Sequence, residues 1–100
     1  MSIFTDKQLK TLPDLYSQDG LGDKAIVHLV VKLQGGFCWL LTEYDKNDLF
    51  FGFVCLNDIQ NAELGYISKA ELEELGANYP FYVDEVNMTL KEAKYAYIEN

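Results

Sequence analysis

The chain has 100 residues, the size of one domain spanning 1–100. Its eight basic residues, all lysine, face 16 acidic ones, giving a net charge of −8 and a pI near 4.4. Without arginine for bidentate phosphate or guanine contacts, and with this excess of acid, direct nucleic-acid binding is excluded as the expected function.

The 49% hydrophobic content suffices for one core, and seven Tyr, six Phe and one Trp favour sheet surfaces over a purely helical bundle. No stretch approaches the ~20 apolar residues needed to span a bilayer. The start, MSIFTDKQLK, lacks a basic region followed by an apolar run, so a cytoplasmic protein with reduced thiols and no membrane partner is expected.

In chain order, Thr5 and Gln8 have capping-box spacing and open a short helix over DKQLKTL, which Pro13 ends or bends. The apolar period then changes to two. Ala25–Leu33, Phe37–Tyr44 and Leu49–Leu56 read as strands, joined by Gly35-Gly36 as a two-residue type I′ turn and by a four-residue loop, Asp45-Lys46-Asn47-Asp48. A fourth strand, Ala62–Ile67, follows Asn57–Asn61. Ser68 and Glu71 open a second helix over KAELEEL, with Gly76 placed to stop it. Phe81–Asp84 is a fifth strand. Thr89 and Glu92 open a third helix, with Leu90, Ala93 and Tyr97 on one face. The fold class is α+β: an antiparallel meander of four to five strands flanked by about three short helices.

Turn lengths predict register. A two-residue first turn sets Lys32 against Trp39, Val30 against Leu41 and His28 against Glu43. A four-residue second loop sets Tyr44 against Leu49, Leu40 against Phe53 and Cys38 against Cys55. One face then carries Val27, Leu29, Val31, Leu33, Cys38, Leu40, Phe51 and Phe53, and the other carries His28, Lys32 and Glu43 with Trp39, Phe50, Val54 and Leu56. Pairing Leu56 with Ala62 sets Gly52 opposite Tyr66 and Phe53 opposite Gly65, so that each glycine makes room for a ring.

Catalytic chemistry finds little support. His28, the single histidine, lies across the predicted sheet from both cysteines and cannot activate either thiol. Gly20 and Gly22 lack the context of a phosphate loop, and no enzyme is expected. Cofactors are expected to be absent. The metal alternative is Zn²⁺ at Cys38, Cys55 and Glu63, which the predicted register places in one row; His28 with Glu43 is a second candidate. Glu71, Glu73 and Glu74 on the second helix, with Asp84 and Glu85 beyond the fifth strand, form the candidate partner-binding surface. The same acidity also serves solubility.

LPDLYS (12–17), LLTEY (40–44), LFFGFV (49–54), ELGYIS (63–68) and Glu71-Leu72 together resemble a domain-of-unknown-function family of small proteins from bacterial plasmids, phages and integrative elements. The resemblance runs from residue 9 to residue 75, departing at Ile67, where the family usually has Phe. The family carries no established reaction, so no catalytic residue is transferred. The resemblance implies a gene on mobile DNA, a setting where small acidic proteins often antagonise host defence, anti-CRISPR and anti-restriction proteins among them. The expected function is therefore a non-enzymatic inhibitor that binds a host defence protein such as a CRISPR nuclease. The alternative is a plasmid or phage maintenance factor binding an element-encoded protein; a small metal-dependent enzyme ranks third.

Overall fold

Five antiparallel strands form the single sheet of the computed structural model, which describes residues 2–99: β1 (Ile26–Leu33), β2 (Phe37–Tyr44), β3 (Leu49–Leu56), β4 (Glu63–Ser68) and β5 (Phe81–Thr89). Three short helices accompany them: α1 (Asp6–Lys10), α2 (Lys69–Asn78) and α3 (Leu90–Lys94), the last continued by a π-helical turn, Tyr95–Glu99. The α+β expectation holds. Strand order is β4-β3-β2-β1-β5, so four strands form the meander and the fifth joins its far edge. The connection from β4 to β5 is α2. Its ten residues span roughly 15 Å, close to the roughly 19 Å of four strand spacings that it must cover.

Each strand of the meander falls within a residue of its expected bounds. The fifth is longer than Phe81–Asp84: it continues through polar Glu85 and Asn87 to Thr89, because β1 offers a complete free edge to pair with. Capping boxes at Thr5/Gln8 and Thr89/Glu92 form as expected. At Ser68 only half of the box forms. Ser68 ends β4, paired with Leu49, and its side chain accepts from the Glu71 N–H, while Asp48 supplies the second acceptor, to the Ala70 N–H. Gly76 does not stop α2, which runs on to Asn78. It lies where Ile3 packs against the helix, and a Cβ there would approach the Ile3 side chain to 2.5 Å.

Register corrects an expected pairing in each of three ladders. Leu33, not Gln34, pairs with Phe37, so the first turn is the three-residue Gln34-Gly35-Gly36, with Gly35 and Gly36 at φ +96° and +90°. Gln34 instead donates its N–H to the Pro80 carbonyl, 3.1 Å away at the entry to β5. This one-residue shift moves Leu29, Val31 and Leu33 onto the face of Trp39 and Leu41, and Val30 onto that of Cys38 and Leu40. The predicted single apolar face is thus divided between two cores. The expectation gathered one apolar set on a single face and left a mixed set on the other, but both faces of this sheet are covered. Phe4, Leu9 and Leu12 from the N-terminal segment and Leu72 and Leu75 from α2 cover one; Leu90, Ala93, Tyr97 and Ile98 cover the other.

Between β2 and β3, Leu40 faces Phe53 and Cys38 faces Cys55 as expected, but a bulge between Leu41 and Glu43 sets Tyr44 against Phe50 rather than Leu49. Between β3 and β4 the 3₁₀ turn Ile59–Asn61, capped by Asp58, delays the strand. Gly52 therefore faces Gly65, and Phe51 faces Tyr66. Gly52 makes room for backbone and not for a ring: a Cβ would collide with the Leu40 carbonyl and come within 3.0 Å of the Leu41 Cα. At Gly65 nothing lies within 4 Å of an added Cβ.

Candidate functional site

The second core is closed by α3 over the β1–β2 side of its face. Towards β4 the same face continues into a cleft of about 420 Å³. Its sheet wall is Phe51, Leu64 and Tyr66 on β3 and β4; its opposite wall is the segment from Tyr16 to Gly22; Thr42 and Glu43 lie between.

The bulge in β2 determines what happens there. Beyond it the β1–β2 ladder ends, at Leu29–Leu41, so the backbone groups of Ile26 and Thr42 must find other partners. Gln18 supplies them: its side-chain amide donates to the Ile26 and Thr42 carbonyls at 2.9 and 3.0 Å and accepts from the Ile26 N–H. The Thr42 hydroxyl donates to the Phe51 carbonyl at 3.0 Å. The bulge also turns Glu43 toward the N-terminal segment. Glu43 is 4% exposed, and its two carboxylate oxygens accept separately from the N–H groups of Tyr16 (2.8 Å) and Gln18 (2.7 Å). A buried carboxylate is stable only when hydrogen-bonded in this way. Tyr16 sits between those bonds at φ +70°, a left-handed conformation costly for a residue with a Cβ. The clasp holds it there, and 66% of Tyr16 remains exposed.

On the rim, the Tyr66 hydroxyl lies 3.4 Å from that of Tyr16, a contact that raises the Tyr66 pKa above the ordinary phenol value. The Tyr66 ring meets Phe51 edge-on, with centroids 5.2 Å apart. Beside the cleft, α3 directs the Lys94 ammonium onto the Phe53 ring, 4.5 Å from its centroid, and against Asp23 at 2.8 Å. No lysine lines the cleft itself, whereas Glu43 and Asp19 do.

The sequence-predicted residues are scattered. On α2, Glu71 and Glu74 are exposed beside an open groove with Tyr79, but Glu73 is committed to Lys69 at 2.6 Å. Asp84 and Glu85 lie within β5 and not beyond it. Asp84 pairs with Val30 and accepts from the Tyr97 hydroxyl at 3.2 Å; Glu85 pairs with Leu29, on the alternate face. The five carboxylates therefore do not form one continuous surface.

Cys38 and Cys55 are buried free thiols facing one another, but Glu63 pairs with Val54, so alternation sends its side chain to the other face. The observed register is likewise offset by one from that which set His28 against Glu43. Among the described residues no three of His, Cys, Asp and Glu gather as a metal-ligand set. Burial pushes the Cys38 thiol up to about 12, holding it protonated, and lowers the pKa of His28.

Sequence reasoning placed Glu43 opposite His28 and so overlooked the clasp. A usable signal was present: an acidic residue inside the apolar strand LLTEY, together with the stretches LPDLYS and ELGYIS. In the structure those three stretches supply Tyr16, Thr42, Glu43 and Tyr66 to the one cleft.

No helix among the described residues is long and apolar enough to cross a membrane. No curated protein and no solved structure matches the chain. A family model, described as Protein of unknown function (DUF2958), matches residues 5–93. That span contains every residue of the cleft and all five strands, and the chain belongs to this family.

Proposed function

We propose that this protein acts by binding another protein, and that its role is to inhibit a host defence nuclease of the CRISPR type on behalf of a mobile element. The observation that carries the reading is the aromatic, acidic cleft beside β4. Tyr16, Leu64 and Tyr66 are 66%, 43% and 54% exposed around it, on a chain of net charge −8. Exposed tyrosines supply rigid contact area, and the charge favours a partner with a basic surface, such as the nucleic-acid groove of a nuclease. The Cys38 thiol, held protonated, is unsuited to nucleophilic catalysis. The nuclease setting comes from the mobile-element resemblance, and the protein-binding role from the surface.

The experiment is plasmid or phage interference in cells carrying one of several CRISPR nucleases, with and without this chain. Protection from interference is the expected result. Absence of protection against every nuclease type overturns the inhibitor reading. Recovery of an element-encoded protein as the stable, stoichiometric partner replaces it with the maintenance-factor role.

A further inference from the structure

We propose that the cleft between Tyr16 and Tyr66 is a receptor for one arginine side chain of a partner protein. The proposal deepens the protein-binding reading and rests on it, but it is tested separately with small cations.

Four observations carry it. The cleft presents aromatic rings beside carboxylates: Phe51 and Tyr66 form the sheet wall, Tyr16 the facing rim, and Glu43 and Asp19 the acid. Ring faces attract cations, and the attraction grows where water is excluded. The same face already holds one such arrangement with the chain's own cation, the Lys94 ammonium set between the Phe53 ring and Asp23. Phe51 lies two residues along the same strand, on the same face, with carboxylates nearby and no lysine in its cleft. Third, the Asp19 carboxylate forms no ion pair among the described residues, and each Glu43 oxygen is shown with only one donor. A carboxylate oxygen accepts more than one hydrogen bond, so both acidic residues of the lining keep acceptor capacity. Fourth, the chain contains no arginine, so a guanidinium must come from a partner.

Guanidinium is favoured over ammonium because it is planar, less strongly hydrated, stacks on tyrosine rings and offers a fork of donors to a carboxylate. The Glu43 bonds to the Tyr16 and Gln18 N–H groups fix the backbone that carries the Tyr16 ring before any ligand arrives, which lowers the ordering cost of binding.

The test is a nuclear magnetic resonance titration of the full-length protein with ethylguanidinium, ethylammonium and neutral ethylurea at matched ionic strength. Ethylguanidinium is expected to shift the amides of Tyr16, Gln18, Phe51 and Tyr66 saturably, binding roughly tenfold more tightly than ethylurea. Tyr66→Ala, at an exposed edge position, and Tyr16→Gly, which relieves the left-handed strain, should both remain folded and lose that preference. Equal responses to ethylguanidinium and ethylurea, or shifts confined to α2, overturn the proposal. Tighter binding of ethylammonium reassigns the cleft to lysine and overturns the arginine assignment. If the cleft fails while interference is still blocked, the inhibitor reading stands and the arginine receptor does not; the reverse result removes the inhibitor and keeps the receptor.

Discussion

Gly52 and Gly65 face each other across β3 and β4, yet they answer different requirements. A side chain at Gly52 strikes the β2 backbone, whereas one at Gly65 meets open space. Gly52→Val should therefore destabilise by about 3 kcal/mol or more, since backbone cannot step aside as a side chain can. Gly65→Val should be neutral or stabilising by up to about 1 kcal/mol, because Val is the better strand former. Urea melts of the two variants check both. The pair of glycines was visible in the sequence, but the choice between ring and backbone was not: it depends on a register that the 3₁₀ turn Ile59–Asn61 shifts by one residue. Cys38 gives a second test at this scale. Burial raises its thiol pKa from 9.0 to about 12, so the folded state holds the proton more tightly than the unfolded state does. This contribution is complete below pH 9 and is lost as pH rises toward 12. Unfolding free energy should fall through that window, with a slope from this thiol of at most about 1.4 kcal/mol per pH unit. Cys38→Ala should lose this part of the slope, as denaturant melts from pH 8 to pH 11 will show.

Helix starts were legible because caps are local. Thr5 with Gln8 and Thr89 with Glu92 contain the whole instruction within four residues, and both boxes form. Thr89→Ala should cost about 1 kcal/mol and loosen α3, whose Leu90 and Ala93 are fully buried against the sheet; a thermal melt followed by circular dichroism measures it. Strand extent and register were less legible, because they depend on distant elements. Gln34 gives its N–H to Pro80, and Asp48 caps α2 with acceptors that the Ser68/Glu71 spacing did not reveal. The fifth strand reads as four residues when taken alone and becomes nine against the free edge of β1. Pairing, not propensity, sets its length.

Across the whole molecule, aromatic rings and carboxylates meet both in the cleft and beside α2, but only the cleft is walled by the sheet. Of the three glutamates expected to act together on α2, only Glu71 and Glu74 are exposed, since Glu73 holds Lys69. Changing both to Lys moves the net charge by four units, from −8 to −4. This variant should fold as the parent does, keep the ethylguanidinium response and show weaker salt dependence in partner binding, as titrations at two ionic strengths would reveal. The cleft could not be read from turn lengths because it joins segments 27 residues apart through one buried carboxylate. Amide hydrogen exchange at Tyr16 and Gln18 is the most direct test of that construction. If Glu43 clasps this segment, both amides are protected in the parent. In Glu43→Gln, which offers only one strong acceptor for the two donors, they exchange much faster, while amides in the centre of β1 and β2 keep their protection. Exchange of the Tyr16 and Gln18 amides at the rate of unstructured peptide in the parent would contradict the clasp, and with it the cleft.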